Sequence, residues 1–260
     1  MNVPSGVWQR DWIQRRGGAH DAGVTVRYVQ TPSVFGDIRI RVDRPDLSSA
    51  TSWADLSDDQ LAALARQNGF AGFTTVDGAN ATWHHEIDFQ PAGGDADIGR
   101  IEPAGDRHMF EHALDGSYVE SWSALDPGGG RFLAVRVVRG GRVEQLLAVA
   151  GAHFVYARAR ATALPAGASI GDVIRDNHPT RETIIGYLDC EISYGAVAGW
   201  QIEHSTLPWH EHKRLALADR IIVDAAGRLA PRAAADGEAW SFPVNTIAAS
   251  DLRALFATVP

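Results

Sequence analysis

The chain has 260 residues, of which 45% are hydrophobic and 22% are charged, a composition typical of a folded protein with a packed core. Lysine and arginine number 24 against 32 acidic residues, so the net charge is −8. An acidic chain without a basic cluster is not expected to bind nucleic acid, because phosphates are neutralised by grouped lysines and arginines.

The single cysteine, Cys190, excludes a disulfide within the chain and is typical of a reducing compartment. It alternates with Leu188 and Ile192, which indicates a buried and unreactive thiol. The first residues lack the basic start and apolar run of a signal peptide. No run of about 18 apolar residues is present to span a membrane. We therefore expect a cytoplasmic protein.

Alternation of apolar and polar residues with a period of two recurs along the chain and predicts antiparallel β-structure. Glycine, aspartate and proline turns separate the segments, as in barrels and sandwiches. The predicted strands are 24–30, 36–42, 72–76, 83–89, 117–122, 131–138, 144–151, 152–161, 183–194, 199–205, 220–224 and 239–244.

Three helices are predicted, at 57–68, 169–177 and 250–259. The first has the clearest signals, because Ser57 and Gln60 can form a capping box and Gly69 suits the position after the last turn. We expect the first and the last helix to close the ends of barrels.

The segment "DPGGG" (126–130) is predicted to join two domains, residues 1–125 and 131–260. A proline followed by three glycines favours a flexible turn near the middle of the chain. Short segments recur in the same order on both sides of it, for example "EIDF" (86–89) and "EISY" (191–194). This recurrence predicts a tandem repeat of one β-rich unit.

Several segments carry a family resemblance: "GVWQRDWIQ", "VRYVQTPSVFGDIRI", "GFAGFT", "WHHEIDFQP" and "DCEIS…STLPW". They resemble a group of bacterial proteins that are similar to a fungal family of two tandem lipocalin-like (calycin) barrels. The resemblance spans 6–42, 69–122 and 187–209. It implies an all-β fold of two antiparallel barrels with a few short helices, and it implies no catalytic residues. Barrels of eight strands can hold one small ligand.

The strand "WHHEIDF" (83–89) allows two interpretations. In the first, its charged side chains lie outside the barrel, and the strand 36–42 agrees by placing Ile38 and Ile40 inside, with the charged residues between them outside. In the second, the polar side of 83–89 lines the lumen. The sequence leaves both open.

A second strand favours a polar interior, because Glu120 shares a face with Tyr118 and Trp122. Burial between two aromatic rings would raise the pKa of this carboxyl, and such carboxyls recur at functional sites. The alternative is that the two rings line a surface groove or the contact between barrels.

These patterns predict a site in the first barrel in which a histidine and a carboxylate exchange a proton near neutral pH. The predicted catalytic residues are Glu120, Glu86 and His84. The predicted substrate-binding residues are Tyr28, Gln30, Arg39, Trp83, His85, Asp88, Tyr118 and Trp122.

The predicted function is a cofactor-independent lyase, hydrolase or isomerase that acts on a small organic molecule, since no nucleotide or redox motif is present. A carrier or sensor of an apolar molecule and a scaffold with filled barrels are the alternatives. No metal or other cofactor is predicted: His210 and His212 in "HEH" are typical of a solvated loop, and a metal there or a haem on His153 or His204 is a weaker alternative. No membrane partner is expected, and no pattern indicates an oligomeric state.

Overall fold

The computed structural model describes residues 4–257, which form mainly β-structure with a few short helices. The first half supplies β1 (Gly6–Arg15), β2 (His20–Asp21), β3 (Val24–Gln30), β4 (Val34–Arg41), β5 (Asn68–Asp77), β6 (Asn80–Asp88), β7 (Asp97–Pro103), β8 (His108–Ala113) and β9 (Tyr118–Asp126). The second half supplies β10 (Phe132–Arg139), β11 (Arg142–Ala150), β12 (His153–Arg158), β13 (Glu191–Ala196), β14 (Gln201–Ser205), β15 (Ile221–Val223), β16 (Leu229–Pro231) and β17 (Glu238–Asn245). The α-helices are α1 (Asp58–Leu64), α2 (Ile170–Asn177), α3 (Arg181–Leu188) and α4 (Ala249–Leu255). Short 3-10 turns lie at Trp53–Asp55, Gly128–Gly130, Ala198–Trp200, Pro208–His210 and Ala216–Arg220.

The first sheet closes into an antiparallel barrel of eight strands. Its order is β1-β3-β4-β5-β6-β7-β8-β9, and β1 also pairs with β9, while the two residues of β2 extend the edge of β1. The register that closes the barrel places Ile13 opposite Glu120. The predicted β-barrel is confirmed for this half of the chain.

The second sheet is open. Its six strands follow the order β14-β13-β12-β11-β10-β17, and β15 and β16 form a separate pair. A second closed barrel is therefore not confirmed. The predicted junction at 126–130 lies between β9 and β10, that is, between the last strand of the barrel and the first strand of the open sheet.

The two sheets pack face to face over a shared apolar core. Ile38 and Ile40 point out of the barrel into this core, where they join Val155 and Ile192 of the second sheet. At the closest approach, a Cβ on Gly36 would lie 2.4 Å from Val155 Cγ1, so this position of β4 requires a glycine. The expectation that Ile38 and Ile40 fill the barrel is wrong, because the second sheet covers this part of the barrel wall and keeps its outer side dry.

One predicted strand differs from the structure in its type. The segment 183–194 is not one strand, since α3 occupies its first part and β13 its second. Thr180 caps α3 by accepting a hydrogen bond from Thr183 N, and this cap and the packing of the helix outweigh the β-propensity of the segment.

Ser57 does cap α1, and the predicted capping box is present. The helix ends at Leu64, so Gly69 lies in β5 instead of after the last turn. The buried side chains of α1, Leu61 and Leu64, face the core between the two sheets. At the C-terminus, α4 (Ala249–Leu255) covers residues 250–255 of the predicted helix, and 258–259 lie outside the described residues. Within 4–257, no helix has the length and apolar character needed to cross a membrane.

Candidate functional site

The interior of the barrel contains a cavity of about 390 Å³. All eight barrel strands contribute to it, because alternate residues of each strand point inwards. Its volume falls within the range of small-molecule pockets, roughly 300–1,000 Å³. The cavity is lined by Ile13, Arg15, Tyr28, Asp37, Arg39, Phe70, Trp83, Asp97, Met109, Glu111, Ser117, Tyr118, Glu120 and Trp122.

Two carboxyl groups face each other inside this cavity. Glu111 on β8 pairs directly with Glu120 on β9, and opposite residues of neighbouring strands point to the same side of a sheet. Both are buried, with 8% and 3% of their surface exposed. Burial raises the pKa of Glu111 to about 8, and the charge of Glu120 adds to this increase. Glu111 is therefore mainly protonated at neutral pH.

The two carboxyl groups have different partners. Arg10 Nη1 donates to Glu120 Oε1 at 2.5 Å, and both side chains of this ion pair are buried. Within residues 4–257, Glu111 forms no ion pair, and its Oε1 accepts a hydrogen bond of 2.8 Å from the Tyr118 hydroxyl. One carboxyl is thus held neutral beside a carboxylate that is balanced by a cation. Pairs of carboxyl groups whose environments differ in this way commonly divide the roles of acid and base.

A second ion pair lies in the cavity wall. Arg39 donates from Nε and Nη2 to Asp37 Oδ1 and Oδ2 at 2.7 and 3.3 Å. Burial opposes the charge of Arg39, but Asp37 and Glu120 outweigh burial and raise the pKa of this guanidinium. The guanidinium also lies over the ring of Phe70, 4.9 Å from its centroid. The charge of Arg39 is therefore already balanced within the protein.

Tyr28, Trp83 and Trp122 form an aromatic wall of the cavity. Trp83 Nε1 donates to the Tyr28 hydroxyl at 2.9 Å, and this hydroxyl donates in turn to Gln30 Oε1. Gln30 also accepts a hydrogen bond of 3.0 Å from Thr74 Oγ1. Trp122 differs from Trp83, because its buried Nε1 has no hydrogen-bond partner among the described residues.

His85 connects the cavity wall with the end of β6. One ring nitrogen lies 2.6 Å from Asp88 Oδ1, and the other lies 3.0 Å from Oδ2 of Asp97, a residue that lines the cavity. The ring stacks on Phe70 with a centroid distance of 4.2 Å. Burial opposes protonation of the ring, but the hydrogen bonds to Asp88 and Asp97 outweigh it and raise the pKa of His85 to about 9.

The structure brings many of the predicted site residues together. Gln30 and His85 each lie one hydrogen bond from a lining residue, and Asp88 binds His85. Six predicted residues line the cavity itself: Tyr28, Arg39, Trp83, Tyr118, Glu120 and Trp122.

His84 lies outside the barrel, although it was predicted to be catalytic. It follows the inward-pointing Trp83 on β6, so alternation turns it away from the cavity. Its Nε2 lies 2.8 Å from Thr75 Oγ1 at an exposed position, and its ring stacks on Phe73 at 4.4 Å. The predicted position of His84 in the lumen is therefore wrong.

Glu86, the third predicted catalytic residue, also faces away from the cavity. The register between β5 and β6 shifts between His85 and Ile87, so Glu86 lies in a β-bulge. Its carboxylate accepts hydrogen bonds of 2.6 to 3.1 Å from Arg136 of the second sheet. Glu86 therefore forms an ion pair between the two sheets, and the prediction that it joins Glu120 is wrong.

Glu111 was not predicted to be a site residue, because β8 was not among the predicted strands. A signal for it exists in "HMFEHA", where Met109 and Glu111 alternate with Phe110 and His112 between two turns. No comparable signal exists for Arg10, since its pairing with Glu120 depends on the closure of β1 onto β9. Asp97 and Asp37 were likewise not predicted to be site residues.

The residues of the weaker metal alternative, and the single cysteine, are not part of the cavity lining. Within residues 4–257, no three histidine, cysteine, aspartate or glutamate side chains converge as ligands of one metal ion. His210 Nδ1 instead lies 2.9 Å from Glu191 Oε1. Cys190 is fully buried, as predicted, and burial raises the pKa of its thiol to about 11. A thiol held in its neutral form is a poor nucleophile.

Comparison with known proteins identifies a similar fold. No family model and no curated protein matches the chain. A solved structure, that of the uncharacterized protein YLR301w from Saccharomyces cerevisiae, superposes with a TM-score of 0.54 at 10% sequence identity. The match covers 94% of this chain and 99% of the yeast chain. At this identity the comparison shows the fold alone.

Proposed function

We propose that the barrel is the active site of a cofactor-independent enzyme that transfers protons on a small organic molecule. The observation that supports this proposal is the buried pair of Glu111 and Glu120, one protonated and one balanced by Arg10, in a cavity of about 390 Å³. Glu111 acts as the general acid and Glu120 as the general base. This division of roles requires no redox group.

The chemistry follows from the oxygen atoms that remain available. Oε1 of Glu111 accepts the Tyr118 hydrogen bond, which leaves the acidic proton on Oε2 to reach a substrate oxygen. Oε1 of Glu120 accepts from Arg10, and its other lone pairs can take a proton from a carbon next to a carbonyl. Proton removal by Glu120 and proton donation by Glu111 convert a ketone into its enol. Return of a proton to another carbon completes an isomerisation, and loss of a neighbouring leaving group completes an elimination.

A deuterium-exchange assay tests this proposal without knowledge of the natural substrate. Small ketones, aldehydes and lactones with acidic C–H bonds are incubated with the protein in D2O, and proton NMR follows the loss of signal. We expect exchange with at least one compound, and a loss of exchange of about 100-fold or more in Glu120→Gln or Glu111→Gln.

Glu203→Gln serves as the control, because Glu203 is an exposed glutamate on β14 and is not among the residues that line the cavity. It should exchange at the wild-type rate. Exchange that persists unchanged in both barrel variants would show that the carboxyl pair does not catalyse proton transfer.

The second candidate function is a carrier or sensor of an apolar molecule. It is favoured by the lining of the cavity, in which Ile13, Phe70, Met109 and the aromatic wall provide most of the apolar contact. Saturable binding of a compound that the protein never exchanges would favour this function over catalysis. Equal affinity in the wild type and Glu120→Gln would support it further.

We also propose that the two halves descend from one lipocalin-like unit and that the protein acts in the cytoplasm. Both halves insert helical segments in the loop before a strand that has a neighbour on each side, α1 before β5 and α2 with α3 before β13. The single buried cysteine is compatible with a reducing compartment. Superposition of the two sheets by one rotation tests the first proposal, and cell fractionation tests the second.

A further inference from the structure

Arg160 is a buried cation without a carboxylate partner. Only 8% of its surface is exposed, the same fraction as for Arg10, yet among residues 4–257 it forms no ion pair. Its Nη2 donates to the backbone carbonyl of Phe89, and the guanidinium lies 5.9 Å from the centroid of the Phe89 ring. Buried charges are usually paired, because a charge that leaves water without a partner is strongly unfavourable. Arg160 therefore lacks the balancing charge that Glu120 provides for Arg10.

The Arg160 side chain lines a pocket of about 200 Å³. The pocket lies between the end of β6, the start of β11 and the segment that follows β12, and it shares no lining residue with the barrel cavity. Arg160 Nε is sealed from solvent and is not a contact for a ligand. Nη1 also has no hydrogen-bond partner in the described part of the chain, but it is not sealed. A ligand in the pocket can therefore reach Nη1.

Arg142 brings a second cation to this pocket. Its side chain is exposed at the start of β11, and its Nη2 donates to the backbone carbonyl of Arg160. Within residues 4–257, Arg142 forms no ion pair, and its Nε and Nη1 make no hydrogen bond. Thr162 lines the same pocket, and its exposed hydroxyl is also unpaired in that range. The pocket thus presents two guanidinium groups and one hydroxyl group.

The two carboxylates that line the pocket are paired with other residues. Glu86 accepts three hydrogen bonds from Arg136, and Asp88 Oδ1 lies 2.6 Å from a ring nitrogen of His85. Hydrogen bonds to carboxylates hold the pKa of His85 at about 9 against the effect of burial, so this ring is positively charged at neutral pH. Neither carboxylate is left to balance the two arginines. The pocket therefore carries an excess of positive charge, although the chain as a whole has a net charge of −8.

We infer that this pocket binds a phosphate group through Arg142 and Arg160, either as inorganic phosphate or as part of a small phosphomonoester. A guanidinium group presents paired N–H donors that match the oxygen atoms of phosphate. A phosphate group carries close to two negative charges at neutral pH, which balances two arginines, whereas a carboxylate balances one. The inference is independent of the proposed function, because the barrel cavity contributes nothing to this pocket.

Isothermal titration calorimetry of the whole chain at pH 7.5 and constant ionic strength tests the inference. The probes are inorganic phosphate, methyl phosphate and acetate. We expect inorganic phosphate to bind at one site per chain, at least tenfold more tightly than acetate. Methyl phosphate of similar affinity would identify a phosphomonoester as the ligand, and a clear preference for inorganic phosphate would identify the free ion.

Arg142→Gln removes one cation at an exposed position, where the substitution should not disturb folding. We expect a loss of phosphate affinity of about tenfold or more, the usual effect of losing hydrogen bonds to a charged group. Arg16→Gln is the matched control, because Arg16 is also exposed and donates to backbone carbonyls, those of Asp115 and Gly116, but does not line the pocket. It should bind phosphate within twofold of the wild type.

Thermal unfolding gives a second measurement, since a ligand that binds only the folded chain stabilises it. Phosphate should raise the Tm of the wild type and of Arg16→Gln above that in chloride of equal ionic strength. Arg142→Gln should lose most of this increase. A wild type that does not bind phosphate, or that binds acetate equally well, would overturn the inference. Equal phosphate affinity in Arg142→Gln and Arg16→Gln would overturn it as well.

Discussion

Glu111 lies directly opposite Glu120 across strands β8 and β9, and an arginine, Arg10, balances Glu120 alone. Two buried carboxyl groups that face one cavity cannot both be charged without a large electrostatic cost. The barrel resolves this by pairing Glu120 directly with Arg10, while Arg39 of the same wall is paired with Asp37. The different protonation of the two groups is thus a consequence of where β1 meets β9.

The buried Glu111 should make the protein less stable as the pH rises. Its pKa is about 8 in the folded protein and 4.5 ordinarily, so between these values the unfolded chain loses a proton that the folded chain keeps. Glu111→Gln removes this effect. We expect the variant to be more stable than the wild type at pH 8 by roughly 2–5 kcal/mol, and similar at pH 4.

Urea denaturation at both pH values measures this difference. Glu203→Gln, at an exposed site, should leave the pH dependence of the wild type unchanged. A stability difference of the same size at pH 4 and pH 8 would show that Glu111 does not titrate in this range.

Replacing only one partner of the ion pair between Arg10 and Glu120 should lower the free energy of unfolding strongly. Arg10→Met leaves the Glu120 carboxylate buried without a cation, and we expect a loss of roughly 3–5 kcal/mol in the free energy of unfolding. Arg10→Met combined with Glu120→Leu removes both charges and should recover most of this loss. Thermal and urea unfolding measure both variants, and a double variant no more stable than Arg10→Met would contradict the prediction.

His85 should remain protonated well above neutral pH. Its pKa rises from 6.5 to about 9, so the charged ring stabilises the fold fully below pH 6.5, and this contribution disappears as the pH rises through 9. NMR titration of the imidazole measures the value directly. His85→Asn should destabilise the protein at pH 6 by roughly 1–3 kcal/mol and less at pH 10. A measured pKa near 6.5 would rule out the paired arrangement with Asp88 and Asp97.

Gly99 on β7 should be required for the shape of the cavity. A Cβ at this position would lie 2.9 Å from Glu111 Cγ and 3.1 Å from Trp83 Cζ3. Gly99→Ala therefore displaces Glu111, and we expect a loss of about tenfold or more in proton exchange. Gly93→Ala is the matched control, because nothing lies within 4 Å of its added methyl group. Equal exchange in both variants would show that the position of Glu111 is not critical.

The sequence by itself determined the local features of this protein. Alternation of residue types predicted most strands, and Ser57 with Gln60 predicted the start of α1, because a strand or a helix cap depends on neighbouring residues. The shared face of Tyr118, Glu120 and Trp122 was also evident, since side chains two positions apart on a strand point to the same side.

Only the tertiary structure decided which face of each strand is the inside. The second sheet covers β3 and β4, so apolar Ile38 points outwards and charged Asp37 and Arg39 point inwards, which reverses the usual pattern. The bulge at Glu86 then changes the alternation within one strand. The partners of Glu120 come from residues 10 and 111, and only the closed register of the barrel brings them together, because hydrogen bonding between strands joins positions that are distant in the chain.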